Sequence, residues 1–183
     1  MIYIVVALKS EAQAFVDRYT FDKSKLGDFT LFSNQTYSII LSGIGVTKAR
    51  DATQTLIDAY DICDDDIYLN LGICGASKVH EIGALLEIGV IDYEGISYLL
   101  KKDKKEIFCV HEAIDKEEYK IVDMESYGFY DAVIHSPAIK NIFILKVVSD
   151  HFRPKQVTKE ATKSLLFNQI NAINKLINYK ASS

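Results

Sequence analysis

The stretch IYLNLGICGAS, residues 67–77, reads as a buried strand that empties into a tight loop. Its first seven residues are almost continuously apolar and lack the polar alternation of a half-exposed strand, so both faces need cover. Gly72 and Gly75 then punctuate a turn. The flanking sequence supplies the cover. Residues 46–60 form an amphipathic helical pattern, introduced by the turn Ser42, Gly43, Ile44, Gly45. Residues 1–8 read as another strand, and 9–18 as a helix whose Ala12, Phe15 and Val16 fall three and four apart. Residues 29–32 and 37–41 suggest a hairpin around Ser33, Asn34 and Gln35. Further strands are expected over 85–91 and 141–148, with helices over 124–134, ended by Pro137, and 158–179. Leu165, Leu166, Ile170, Ile173, Leu176 and Ile177 give that last helix one apolar face. Between 92 and 120 the pattern degrades, and 107–110 is the best strand there. Alternating strands and helices predict an α/β fold, a single domain over 1–183 with three layers, α/β/α, around a central mixed, mostly parallel sheet.

Composition narrows the classes of function. The 183 residues are 49% apolar, enough for a sizeable core, and the formal charge of −4 comes from interspersed acids and bases. No basic stripe of the kind that neutralises nucleic-acid phosphates is present, so nucleic acid is not an expected partner. Neither is a membrane, since no stretch is long enough to span one. The opening MIYIVVAL lacks a basic segment and runs straight into Lys9 and Glu11, unlike a signal peptide. Cys63, Cys74 and Cys109 are odd in number and without metal-ligand spacing. They fit free thiols and a cytoplasmic protein. The runs 64–66 and 101–105 read as solvated loops.

In open α/β sheets ligands bind beyond the carboxyl ends of the strands. The polar residues there are Lys9 to Glu11, Gly43 to Gly45, Gly72 to Ser77, and Ser149 with Asp150, while Asp123 and Glu125 flank Met124 ahead of a helix. Acids at a helix start are common because they complement the dipole, and glycines are common in turns. Five pieces nevertheless stand in one order: MIYIVVALKSEAQAF, LSGIGVTKA, LNLGICGAS, IVDMESYGFYDAV and LKVVSD. Together they resemble the nucleoside phosphorylase and nucleosidase superfamily, and within it most closely the methylthioadenosine/S-adenosylhomocysteine nucleosidases. The resemblance covers the first ninety or so residues and the last sixty or so, with the middle shortened.

The resemblance implies a phosphorylase/hydrolase-like fold, a purine nucleoside as small-molecule ligand, hydrolysis of the N-glycosidic bond, and a homodimer; no metal-ligand cluster can be assembled from the residues, so no metal or cofactor is expected. The resemblance also implies roles. Asp150 matches the acid that protonates the purine N7, Glu125 the residue that binds the ribose hydroxyls, and Met124 the one that packs on the sugar. Glu11 matches the acid that activates the attacking water. Gly43, Gly72, Cys74, Gly75, Ile114, Ser149 and Phe152 are placed along the ligand by the same likeness. His111 and His151 are assigned no chemistry. Cys74 lacks a partner base and reads as a small buried thiol rather than a nucleophile.

Phosphorolytic relatives hold phosphate with an arginine and a serine where this chain has Asn70 and Ile73. That removes a bidentate cation and a hydroxyl, so water is the expected co-substrate, although Arg50 remains as a possible anion ligand. Ala113 stands where the family places an aromatic that stacks on the base, and Phe108, Phe152 or a partner-subunit residue is the expected substitute. The resemblance leaves the substrate open among methylthioadenosine, adenosylhomocysteine, adenosylhopane, 6-amino-6-deoxyfutalosine and other purine nucleosides. Two other readings stay open with it: a catalytically inactive nucleoside-binding or interaction module, and a phosphate-dependent phosphorylase.

Overall fold

The fold, taken from a computed structural model, is described for residues 1–181, with side chains described as far as Asn178. In chain order it runs β1 (Ile2–Val6), α1 (Lys9–Val16), β2 (Asp22–Leu26), β3 (Phe29–Ser33), β4 (Tyr37–Leu41), α2 (Val46–Ala59), β5 (Ile67–Ala76) and β6 (Leu85–Tyr93). Then follow β7 (Ile96–Leu99), β8 (Lys105–Cys109), β9 (Ile121–Asp123), α3 (Ser126–Ile134), β10 (Asn141–Asp150), a short 3₁₀ turn at Pro154–Gln156 and α4 (Lys159–Ala181).

Alternation along the strands sorts their side chains into two cores. Tyr3 and Val5 of β1, Tyr68 and Cys74 of β5, and Ile144 and Val148 of β10 join one, with Leu56 of α2 and Phe129 and Val133 of α3. Ile4 and Val6, Leu69 and Leu71, Phe143 and Leu145 join the other, with Phe15 of α1 and Leu166, Ile170 and Ile173 of α4. This is the two-residue period of a strand with both faces buried. Helices α1 and α4 pack together on one face, and α2 and α3 on the other.

The sheet is mixed, and parallel pairs do not predominate as the sequence reading expected. β1 runs parallel to β4 and β5, β10 to β5, β6 to β8, and β8 to β9. The pairs β2–β3, β3–β4, β5–β9, β6–β7 and β6–β10 are antiparallel. Three of these five antiparallel pairs involve strands that residue pattern does not reveal. β2 is the largely exposed DKSKL at the end of the sheet, where charge on an edge strand discourages pairing with other chains. β7 follows the turn at Glu94 and Gly95, both at positive φ, and β9 is only three residues long.

Because β5 bonds both β9 and β10, and β6 bridges β10 and β8, strands β5, β10, β6, β8 and β9 close into a ring. Closure bends the chain at its ends. β10 continues past the expected limit at residue 148 to Asp150, where a register shift lets Asp150 face Gly75. Of the acidic run 64–66, Asp66 is buried rather than solvated, accepting the Cys63 N–H at 2.9 Å. In the run 101–105, Lys101 and Lys104 both pair with the carboxylate of Glu87, at 3.1 and 2.9 Å. Among the described residues no helix is long and apolar enough to cross a membrane.

Candidate active site

A cavity of about 580 Å³ opens where β1, β5, β9 and β10 end and α1 and α4 begin. That volume falls in the range of small-molecule sites, roughly 300–1,000 Å³. The wall includes Glu11, Cys74, Gly75, Ile114, Met124, Glu125, Ser149 and Asp150. Carboxylates that lie up to 139 residues apart in sequence therefore face one hollow.

Glu11 stands in the first turn of α1, and its carboxylate reaches back over the start of the helix. Oε2 accepts the N–H groups of Ala7 and Leu8 at 2.9 and 2.8 Å, satisfying donors that a helix start leaves unpaired. Oε1 accepts the Ile73 N–H of β5 at 3.0 Å. Burial pushes the Glu11 carboxyl above the ordinary range, against the opposing pull of the Leu8 amide and of Lys146. A carboxylate has about four acceptor sites, so three occupied leaves one on Oε1 for a hydrogen donor from the cavity.

Glu125 is set by the end of β9 and the start of α3. Its Oε1 accepts the Gly45 N–H at 3.0 Å, tying the loop before α2 to the site. Burial is the main cause that raises its carboxyl to about 7, with Asp123 and Glu11 adding to the rise and Lys146 opposing it. Asp150 ends β10. Its Oδ1 accepts the Arg153 N–H at 2.6 Å and its Oδ2 accepts the Ser149 hydroxyl at 2.7 Å, so the carboxyl is held at both oxygens.

Sequence reading passed over one cation. Lys146, in the middle of β10, is fully buried and donates to Asp123 Oδ2 at 2.8 Å. Asp123 also accepts the Ser126 hydroxyl at 2.6 Å and the Ser126 N–H at 2.9 Å. Lys146 is in register with Gly72, and a Cβ built on Gly72 would lie 3.5 Å from Lys146 Nζ and 2.8 Å from Glu11 Oε1. Ammonium and carboxylate thus both border the space that a side chain at position 72 would fill. Burial alone would lower the Lys146 ammonium, but Asp123, Glu125 and Glu11 outweigh it, and the group is held above its ordinary value. A lysine inside the apolar run ILKVV was the available signal, since lysine is almost never fully buried unpaired.

Several expected residues lie off the wall. Gly72 is behind Glu11, leaving room for its carboxylate. Gly43 sits under the Lys48 side chain at φ +85°. Phe152 is buried at φ +56°, with its ring near Gly75. Phe108 packs on Tyr119, and among the described residues no aromatic ring lines the cavity, although Ala113 does. Asn70 is buried and donates to the Val5 carbonyl, while Arg50 is exposed and pairs with Asp131 at 3.6 Å. His151 donates from Nδ1 to the Ala76 carbonyl, and His111 meets Glu94 at 3.0 Å on the surface. Burial raises the Cys74 thiol well above its ordinary value, the opposite of an activated nucleophile. Among the described residues no cluster of three or more histidine, cysteine or acidic side chains could hold a metal ion. Outside the acids, the wall is completed by Pro154, Val157 and the first turns of α1 and α4, with Lys9, Gln13, Thr158 and Lys163.

No protein-family model matches the chain, and no curated protein matches it in sequence. Solved structures do match in fold. The 5'-methylthioadenosine/S-adenosylhomocysteine nucleosidase of Neisseria meningitidis, solved with methylthio-immucillin-A, is 14% identical, with a TM-score of 0.72 over 91% of this chain and 96% of that one. The 5'-methylthioadenosine nucleosidase of Arabidopsis thaliana is 17% identical, with a TM-score of 0.74 over 94% and 95%. The futalosine hydrolase of Helicobacter pylori is 13% identical, with a TM-score of 0.71 over 93% and 97%. At these identities the likeness is one of fold: the chain is folded like these nucleosidases along nearly its whole length.

Proposed function

We propose that the protein is a purine nucleosidase of the nucleoside phosphorylase and nucleosidase superfamily, splitting the N-glycosidic bond with water. The observation that carries this reading is the convergence of Glu11, Glu125 and Asp150 on one cavity. The fold shared with nucleosidases adds support.

In this reading the C1′–N9 bond breaks, its electron pair passes to the purine, and Asp150 supplies a proton to N7. Draining charge from the base lets the sugar become oxocarbenium-like. Glu125 accepts the ribose hydroxyls and favours that positive charge, while Met124 packs on the sugar. A water hydrogen-bonded to Glu11 Oε1 gives up its proton there and forms the new bond to C1′. The three amides hold Glu11 in one orientation, and the charge of Lys146 favours its ionised form. Without an aromatic ring in the wall, the purine lies against aliphatic side chains such as Ile73, Val122 and Ile114.

A homodimer belongs to the same reading. Tyr127 stacks on Tyr93 with ring centres 4.0 Å apart, Tyr98 packs on Tyr127 and Tyr130, and Ile96, Leu99 and Ile134 are exposed nearby in sequence. This is the face we assign to the second copy. Free thiols at Cys63, Cys74 and Cys109 accord with a cytoplasmic setting.

The deciding experiment offers methylthioadenosine, adenosylhomocysteine, 6-amino-6-deoxyfutalosine and other purine nucleosides with and without phosphate, and measures liberated base. Release without phosphate, lost in Asp150→Asn, is the expected result. Binding without release from any nucleoside would replace the enzyme with a binding module.

A further inference from the structure

The surroundings of the Glu11 carboxylate are those of an anion-binding site, and the anion in it belongs to the chain itself. Three amide N–H groups, from Ala7, Leu8 and Ile73, point at its two oxygens at 2.8 to 3.0 Å. Convergent backbone amides of this kind recognise oxyanions wherever they occur. The buried ammonium of Lys146 adds a full positive charge beside the same spot.

The cradle does not owe its shape to Glu11. Ala7 and Leu8 follow β1 and Ile73 belongs to β5, and these strands are held side by side by parallel pairing from Ile2–Ile67 to Val5–Asn70. β10 is fixed to β5 in turn, with Lys146 in register with Gly72. Ala7, Leu8 and Ile73 all line the cavity, so the cradle opens onto it. Gly72 leaves the space an oxygen needs, because a Cβ there would be 2.8 Å from Oε1.

We propose that the amides of Ala7, Leu8 and Ile73, with Lys146, form an oxyanion-binding site whose resident occupant is the Glu11 carboxylate, and which takes a free carboxylate or phosphate when that side chain is removed. Resting on the nucleosidase reading, one consequence concerns the co-substrate. An external oxyanion is shut out because the chain's own acid already occupies its place, and water is what remains. The changes at positions 70 and 73 are then secondary, since Asn70 does not reach the cavity and Ile73 contributes its backbone.

The test uses Glu11→Ala, which deletes the methylene and carboxyl of an acetate. Acetate, formate and inorganic phosphate are titrated while thermal unfolding is followed, at constant ionic strength set with chloride. In the variant, acetate or phosphate raises the midpoint saturably by about 3 °C or more, and the wild type does not respond. The double variant Glu11→Ala/Gly72→Ala, whose added methyl lies 2.8 Å from the oxygen position and crowds it, loses the response. A folded Glu11→Ala protein indifferent to all three anions, or a response equal in the double variant, overturns the proposal. If Glu11→Ala fails to fold in chloride, folding recovered by acetate supports the site, and failure in acetate as well overturns it. None of these readings requires catalysis. A wild type that releases no base from any nucleoside therefore removes the nucleosidase assignment while the anion site stands.

Discussion

Lys146 and Asp123 form an ion pair 2.8 Å long with 1% and 0% of their side chains exposed, and Asp123 borders the cavity that Glu11, Glu125 and Asp150 line. A pair so far from water is held by good geometry and by the extra hydrogen bonds that Ser126 gives Asp123. Removing one partner leaves the other charge stranded.

Lys146→Met is therefore expected to destabilise the fold by about 3–5 kcal/mol, measured by denaturant unfolding. Because Lys146 also pulls down the pKa of Glu11 and of Glu125, its loss moves the acid limb of any activity profile to higher pH. A variant as stable as the wild type would show that the pair is not formed.

Glu125 gives stability a pH dependence of unusual sign for an acid. Its folded value of about 7 lies above the ordinary glutamate value of 4.5, so the folded state holds the proton more tightly than the unfolded chain. The contribution is fully present below about pH 4.5 and is lost as pH rises through about 7, with a size on the order of 3 kcal/mol. Glu125→Gln keeps an acceptor for the Gly45 N–H and should flatten this part of the stability curve between pH 4.5 and 7. An unchanged slope would assign the titration elsewhere.

Asp150→Asn tests the acid. The amide oxygen still accepts the Arg153 N–H, and the amide nitrogen can donate to the Ser149 oxygen, so the turn survives. Base release should fall roughly 10²- to 10⁴-fold with a melting temperature close to that of the wild type. Activity within a factor of two would remove Asp150 from the chemistry.

Gly72→Ala tests the space behind Glu11. Its methyl would press on Oε1 from 2.8 Å and on Lys146 Nζ from 3.5 Å, and the pairing of β5 with β1 and β10 leaves the backbone little freedom to yield. A stability loss of about 1–3 kcal/mol, together with a loss of turnover larger than any change in KM, is expected from unfolding and kinetic measurements. Full activity would mean that Glu11 is not needed where it stands.

Much of this molecule was legible in one dimension. The apolar runs of β1, β5 and β10 and the three-and-four spacing of α1, α2 and α4 are local consequences of burial, and they marked elements to within a few residues. Glu11, Glu125 and Asp150 could be singled out because each follows or precedes such a run, inside pieces that resemble one family. β2, β7 and β9 left no such mark. An exposed charged edge, a four-residue strand and a three-residue strand are specified by their partners rather than by their own periodicity.

What only the tertiary structure decided is which groups meet. Ring closure through β9 and β10, the Lys146–Asp123 pair, and the convergence of the Ala7, Leu8 and Ile73 amides on Glu11 join residues far apart in sequence. The sequence determined where strands and helices form, because burial of a face imposes a period on neighbouring residues. It did not determine the charge balance of the cavity, because desolvation and Coulomb energies depend on distances through space that no local pattern encodes.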